Sequence, residues 1–295
     1  MKDSAVLLID CPDQKGLVAR VSSLLYRHGA NILHADQHQD HELGLFFMRV
    51  EWGLADSSPS AALSAGSKPF DLKAFQAEFA PLAAELMMNW KLTSGSRLPR
   101  VALFCSQYLH CMADLLYRWQ AGELECEIPL IVSNHHEVET LAAFYGVPFE
   151  HVPVTAATRN QAELRQLELL ARHEVELVVL ARYMQILSPA SIARYPSAII
   201  NVHHSFLPAF TGAKPYHAAH ERGVKLIGAT SHYVTEVLDD GPIIEQDVAR
   251  VSHRDQVEDL VARGRDLERM VLSRAVRWHL DRRILCYGNK TVVFD

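Results

Sequence analysis

The chain is predicted to be a two-domain α/β protein. A small module of four strands and two helices comes first, followed by a larger domain on a mostly parallel sheet. Three observations carry this. Short apolar, β-branched runs at Ala5–Ile9, Val101–Phe104, Ile128–Val132, Leu177–Leu180 and Ala198–Ile200 alternate with stretches of helical spacing. The stretch Thr93–Arg100 is small and polar and contains Pro99, the composition of an interdomain linker. A length of 295 residues, with 49% hydrophobic and 22% charged content, suffices for two moderate domains.

Taken in order, Ala5–Ile9 is a strand ending in the turn-rich loop Asp10–Gly16. Leu17, Val18, Val21, Leu24 and Leu25 follow at helical spacing, and Gly29 stands as a C-terminal cap before Asn31–Ile32 opens the next strand. Gly44–Trp52 is a further strand, Phe70–Met87 a second helix, and Trp90–Leu92 a last extended piece. Together they form a ferredoxin-like β-α-β-β-α-β module over residues 1–92. Leu54–Pro69, rich in Ala, Ser and Gly, reads as a flexible inserted surface loop. After the linker at 93–100, residues 101–295 are expected to form a Rossmann-like domain. Its helices are read at Cys111–Gln120, Val138–Tyr145, Gln161–Arg172 and Ile192–Tyr195, and a long one at Gln256–Leu280 is expected to break near Gly264. A terminal hairpin over 284–294 closes the chain.

Composition removes several classes of function. A net charge of -6 offers no basic field for nucleic acid. No apolar run approaches the length of a membrane span and the N-terminus does not read as a signal peptide, so a cytoplasmic location is expected. The five cysteines are scattered without a C-x-x-C pair, which reads as free thiols. No Lys or Arg lies near Cys105 or Cys111 in sequence to activate them. The histidine pairs His135–His136 and His203–His204 lack a His-Glu-x-x-His or carboxylate ligand set, and no metal or cofactor is expected. His217 and His220 read as structural or pocket-lining, and the charge run Asp255–Arg269 as a solvated helix face.

The polar residues with chemical promise gather in Ile200–Asp247, directly after a buried strand. Polar groups at the carboxyl end of a strand stand where open α/β sheets bind ligands. Asn201 and His203, two apart on an extended chain, face the same side and can polarise one carbonyl oxygen, whereas Val202 and His204 face the other way. Asp239, in Leu238-Asp239-Asp240-Gly241-Pro242, would need the fold to bring it to His203.

Two resemblances extend this reading. Asp13, Gly16, Asn31 and Ile32 match the signature of the ACT domain, an amino-acid-sensing module that commonly pairs. This resemblance implies a candidate effector site at those four residues, with glycine or methionine as effectors, and a homo-oligomer. The run Asn201–Pro208, with Gly212, His217, Ala219, Gly223, Gly228, His232 and Leu238–Ile243, resembles the formyltransferase family that handles 10-formyltetrahydrofolate. The likeness covers roughly Arg100–Asp295. It implies that Asn201, His203 and Asp239 are catalytic and that Met184, Gln185, Ile186 and Leu187 line a pterin pocket. It also places His232 and Gly241 around the substrate. With an ACT-like domain in front, the chain resembles the hydrolytic, deformylase branch of that family. The folate is then substrate rather than cofactor, and water accepts the formyl group. Asn201 and a protonated His203 would donate to the formyl oxygen, and Asp239 would act through water as base and as the partner that orients or charges His203. The formate is expected to supply purine synthesis and the reaction to balance the one-carbon pool.

The rival reading is formyl transfer to an amine. Relatives that formylate a phosphorylated amine carry a Gly- and Ser-rich loop after the first strand of this domain. Here the equivalent Phe104–Cys111 contains no glycine, and Gln107, Tyr108 and Leu109 make a poor phosphate nest. His204, which stands where transferases of the family tend to have proline, is shared with the deformylases by resemblance. A catalytically silent sensor is the third reading, opposed by the intact Asn201, His203 and Asp239.

Overall fold

A computed structural model describes residues 4–54, 70–95, 97–209 and 215–295. Most of the inserted loop read over Leu54–Pro69, together with Gly212, lies outside the described residues. Residue contacts divide the chain into two compact units.

The first unit is a four-stranded antiparallel sheet with two helices. Strands β1 (Ser4–Pro12), β2 (Asn31–Asp40), β3 (Leu45–Gly53) and β4 (Asn89–Ser94) are ordered β2-β3-β1-β4. Both β1 and β2 pair antiparallel with β3, so they run parallel to each other. Helix α1 (Leu17–Arg27) is the crossover between them, as the ferredoxin-like reading requires. Central β1 is buried at nearly every position while edge strand β2 is almost wholly exposed. Helix α2 (Leu72–Glu85) starts where the Asp71 carboxylate accepts from the amides of Lys73 and Ala74, both at 3.0 Å. Its Phe75 and Phe79 pack with Trp52, Leu24 and Leu25 into one core.

Two of the expected boundaries move. Strand β4 continues through Ser94, so the linker narrows to the residues just after it. The first unit also takes in Arg282–Leu285 and Val292–Asp295, which the sequence assigns to the second domain. Buried Arg49 explains part of this, because its Nε donates to the Arg282 carbonyl at 3.0 Å, a partner 233 residues away. Sequence composition marks linkers, but membership in a core is decided by such contacts.

The second unit carries a seven-stranded sheet. Its strands are β5 (Arg100–Cys105), β6 (Glu127–Ser133), β7 (Phe149–His151), β8 (Leu177–Leu180), β9 (Ile199–His203), β10 (Leu226–Tyr233) and β11 (Ile243–Arg250). The order is β11-β10-β9-β8-β5-β6-β7, parallel from β7 to β9 and antiparallel at β10 and β11. Helices α3 (His110–Gln120), α4 (Glu139–Tyr145) and α5 (Arg159–Arg172) lie between the parallel strands in sequence. The next helix, α6 (Pro189–Ile192), sits earlier than the expected Ile192–Tyr195, because the Ser188 side chain caps it by accepting from the Ser191 amide. Helix α7 (Pro215–Arg222) precedes β10.

The long helix α8 (Val257–Leu280) does not break at Gly264. A Cβ there would lie 2.1 Å from the Tyr216 hydroxyl, so the glycine makes room for a side chain and the helix runs through. The terminal strands β12 (Ile284–Tyr287) and β13 (Lys290–Val293) form the expected hairpin. No helix among the described residues is long and apolar enough to cross a membrane.

Candidate active site

Strand β9 presents Asn201 and His203, and β10 runs antiparallel beside it with His232 opposite Asn201. Residues directly opposite across a ladder share a face, so the His232 ring meets the Asn201 amide, with Nε2 and Nδ2 3.3 Å apart. The other ring nitrogen, Nδ1, lies 2.9 Å from the Tyr233 carbonyl, which can only accept. Nδ1 therefore holds the proton, Nε2 offers its lone pair to Asn201, and the amide is fixed with its nitrogen inward. The second N–H of that nitrogen is left for a ligand.

Asp239 arrives on the loop between β10 and β11 in a left-handed conformation, φ 56°, which a non-glycine residue adopts only when its surroundings impose it. Gly241 is what lets the loop close. A Cβ there would lie 1.7 Å from the Tyr233 carbonyl oxygen, so its role in the structure is close backbone approach rather than a demonstrated contact to substrate. The closed loop puts Asp239 Oδ2 3.2 Å from His203 Nδ1 and Oδ1 3.7 Å from His232 Nε2. The hydrogen bond from His203 holds the Asp239 carboxyl well below the usual carboxylate range against the opposing effect of burial.

With Nδ1 turned to Asp239, His203 has one nitrogen left. That Nε2 is buried and has no hydrogen-bond partner among the described residues. An orphaned buried polar atom costs on the order of 1–3 kcal/mol, which marks it as a ligand-binding position. Where Nε2 carries a proton, it is a second donor beside the Asn201 amide. Asn201 Nδ2 and His203 Nε2 then form a pair of donors able to hold an oxygen on which negative charge develops.

A second polar cluster adjoins the first and corrects the reading of Asp255–Arg269 as a solvated face. Glu268, on α8, is only 1% exposed. It accepts from the Tyr216 hydroxyl at 2.8 Å and pairs with His110 Nε2 at 2.7 Å and Arg182 Nε at 3.4 Å. Burial pulls its carboxyl up, but these donors outweigh it and the net shift is downward. Arg182 has a left-handed backbone, φ 65°, and its guanidinium stands over the Tyr108 ring at 5.3 Å. His110, Cys111 and Glu268 bring three potential ligand atoms within 4.8 Å of one another. Glu268 is already met by two hydrogen-bond partners and the Arg182 charge, and burial pushes the Cys111 thiol far up, so this donor set is that of an ion-pair network. Burial also pushes the Cys105 thiol up to about 12, in keeping with inert thiols.

His204 links the two clusters. Strand β9 ends at His203, so the adjacent rings do not diverge as an extended chain would have them, and their centroids are 5.0 Å apart. Burial, then the charges of Arg182 and His203, lower the His204 pKa to about 4. The ring is neutral at pH 7.

The loop Met184–Leu187 leaves β8 beside Asn201, the register partner of Leu180. It is pinned from two sides: the Met184 amide donates to Ser106 Oγ at 3.0 Å, and Arg159 Nη2 donates to the Ile186 carbonyl at 2.6 Å. The Ser188 amide donates to Glu163 at 2.6 Å, and Gln166 Nε2 to the Tyr183 hydroxyl at 2.8 Å. Met184 and Ile186 nonetheless remain exposed, as apolar groups awaiting a ligand would be. Arg159, Glu163 and Gln166 escape a sequence reading because polar residues at i, i+4 and i+7 look like a solvated stripe.

The remaining candidates separate. His217 and His220 are exposed on α7 and gather no partners into a site. His136 lies tilted against His151, with centroids 3.8 Å apart, and pairs with Glu139 at 3.1 Å on the surface. In the first unit Gly16, φ 89°, caps the start of α1, and Asp13 accepts from Gln39 at 3.1 Å. Asn31 and Ile32 open β2 beyond the other end of that helix. Eleven helical residues span about 16 Å, so a single chain does not gather the four into one pocket.

Comparison with known proteins places these features. The formyl transferase family model matches residues 99–276 and the ACT domain model residues 5–51. A formyltetrahydrofolate deformylase from a Synechocystis species is 52% identical over 293 residues, covering 99% of this chain and 98% of the relative. The crystal structure of a formyltetrahydrofolate deformylase from Pseudomonas syringae pv. tomato superposes with a TM-score of 0.92 at 49% identity, covering 99% of this chain and 94% of that one. Glycinamide ribonucleotide transformylase 1 from Symbiobacterium toebii reaches 0.64 at 29% identity and covers 70% of this chain and 98% of its own.

Proposed function

The chain belongs to the formyltetrahydrofolate deformylase family, and from that premise we propose that Asn201, His203 and Asp239 are the residues with which it hydrolyses 10-formyltetrahydrofolate to formate and tetrahydrofolate. It is a hydrolase with an ACT domain ahead of a formyltransferase-type domain. The observation that carries the residue assignment is the buried, unpartnered Nε2 of His203, whose other nitrogen is held by Asp239.

In this mechanism the formyl oxygen accepts from Asn201 Nδ2 and from His203 Nε2 in its protonated form. Water adds to the formyl carbon, and the negative charge that develops on oxygen is held by the two donors. The bond from carbon to N10 then breaks, N10 takes up a proton, and formate and the amine leave. Asp239 keeps His203 oriented through its Nδ1. Both carboxylate oxygens face imidazoles, which favours this role over that of base.

Water as the acceptor is supported by the loop after β5. Ser106 Oγ donates to Asn134 at 2.7 Å, His110 is tied to Glu268, and Tyr108 lies under Arg182. These contacts place bulky side chains where a glycine-rich loop would need open backbone to approach a phosphate.

The test is incubation of the pure protein with 10-formyltetrahydrofolate and no amine acceptor, with formate as the readout. Formate is expected, and Asp239→Asn should lower its turnover by ~10² or more. No formate from the intact protein rejects the hydrolytic reading, and a normal rate in Asp239→Asn rejects the residue assignment. The ACT domain is proposed to bind an amino-acid effector and to pair with a second copy of the chain, supported by the Asp13–Gly16 loop at the start of α1.

A further inference from the structure

Hydrolysis needs a group that holds water and takes its proton, and Asp239 is poorly placed for that because both its oxygens face imidazoles. His204 is better placed. It is 8% exposed, and neither ring nitrogen makes a hydrogen bond to a protein group among the described residues. Unlike His203 Nε2, its nitrogens are not among the fully buried unpartnered atoms, so an imidazole without a protein partner here is open to a ligand. Its ring lies beside that of His203 at 5.0 Å. A carbonyl oxygen accepting from His203 therefore sets its carbon within reach of a water bonded to His204.

His204 also lines an open cavity of about 370 Å³ whose other walls, including Phe206, Tyr216, Ala219, Ile227 and Val248, are largely apolar. A water there needs a second polar partner beside the imidazole, and the formyl group it attacks would supply one. The Glu268 network supplies the electrostatics. Arg182, fixed by Glu268, adds its charge to the effect of burial and keeps the ring unprotonated, the form that can accept a proton.

We propose that His204 is a catalytic residue of the hydrolysis, the one that binds the attacking water and accepts its proton. The inference rests on the hydrolytic reading and on the roles of Asn201 and His203 given above. As the water oxygen bonds to the formyl carbon, one water proton passes to a ring nitrogen of His204. The carbon–N10 bond breaks with its electron pair going to nitrogen, N10 takes up a proton, and His204 returns its own to solvent. Overall, water is divided between the formyl carbon, as OH, and N10, as H. No oxidant or further reactant is needed.

The experiment compares two nucleophiles on the same enzyme. Hydroxylamine attacks a formyl group without a base, so it has no need of His204. With 10-formyltetrahydrofolate, formate reports hydrolysis and formohydroxamate reports attack by hydroxylamine, each corrected for the enzyme-free rate. For His204→Gln and His204→Asn, formate turnover should fall by ~10²-fold or more. Formohydroxamate turnover should stay within about threefold of the parent, with KM for the folate little changed, since Asn201 and His203 are intact. The proposal is overturned if formate turnover is unaffected in both variants, or if the two products fall together in both, as a folding defect or a purely structural role would make them. Absence of formate from the parent protein would instead reject the hydrolytic reading itself, so the two failures are told apart.

Discussion

A carboxylate as deeply buried as Glu268 stays ionised only because Tyr216, His110 and Arg182 all meet it. Removing it would leave Arg182 buried without its counter-charge, so Glu268→Ala should cost about 3–5 kcal/mol at pH 7. Because the folded-state pKa is depressed, the stabilisation is fully present above the ordinary value of 4.5 and is lost as pH falls through the lower folded value. Urea denaturation at pH 7 and near pH 3.5 should therefore show the gap between parent and variant narrowing on acidification, and a gap that widens would contradict this account. At this scale Asn201 and His203 were legible, because a spacing of two on an extended chain puts both on one side. Glu268 was legible in principle. It falls with Gly264, Val271 and Ala275 on the buried stripe of its helix, an acid on an apolar face, yet the surrounding charges suggest solvent. Arg182 and His110 carry no such mark, since each is defined only by what it meets.

Helix α8 shows what an element adds. Local propensity argues for a break at Gly264, where glycine costs about 1 kcal/mol relative to alanine in a helix. The Tyr216 hydroxyl occupies the space a methyl group would need. Gly264→Ala should therefore destabilise the protein by about 1–3 kcal/mol despite the gain in propensity, because the tyrosine must move from both the notch and Glu268. Urea unfolding measures this, and a stabilised variant would show that Tyr216 is not held there. The parallel strands were plain in sequence, since buried runs of β-branched residues between helical stretches have few other solutions. The pinning of Met184–Leu187 by α5 was not, because hydrogen bonds to the loop's main chain leave no trace in the loop's own side-chain pattern.

Across the whole molecule, the ACT domain and the formyltransferase-type domain are separate compact units, the first of which presents an exposed edge strand, β2. If the ACT domain binds an amino acid, calorimetric titration of the full chain with glycine and with methionine should give saturable heat, and Gly16→Val should weaken it by distorting the left-handed start of α1. No heat with either would leave that domain a pairing element. The amino-acid sequence by itself determined the two-domain plan and most strands and helices up to β9, because these follow from periodicity and propensity along one chain. The antiparallel β10 and β11 were not read, and the Asn201–His203 pair stood out through the family resemblance rather than through spacing alone. Only the tertiary structure decided that Asp239 reaches His203, that His204 turns beside it without a partner, and that Glu268 meets Tyr216, Arg182 and His110, brought from 52 to 158 residues away. Such meetings depend on loop closure and sheet order, and burial then sets the charge states that make the site chemical.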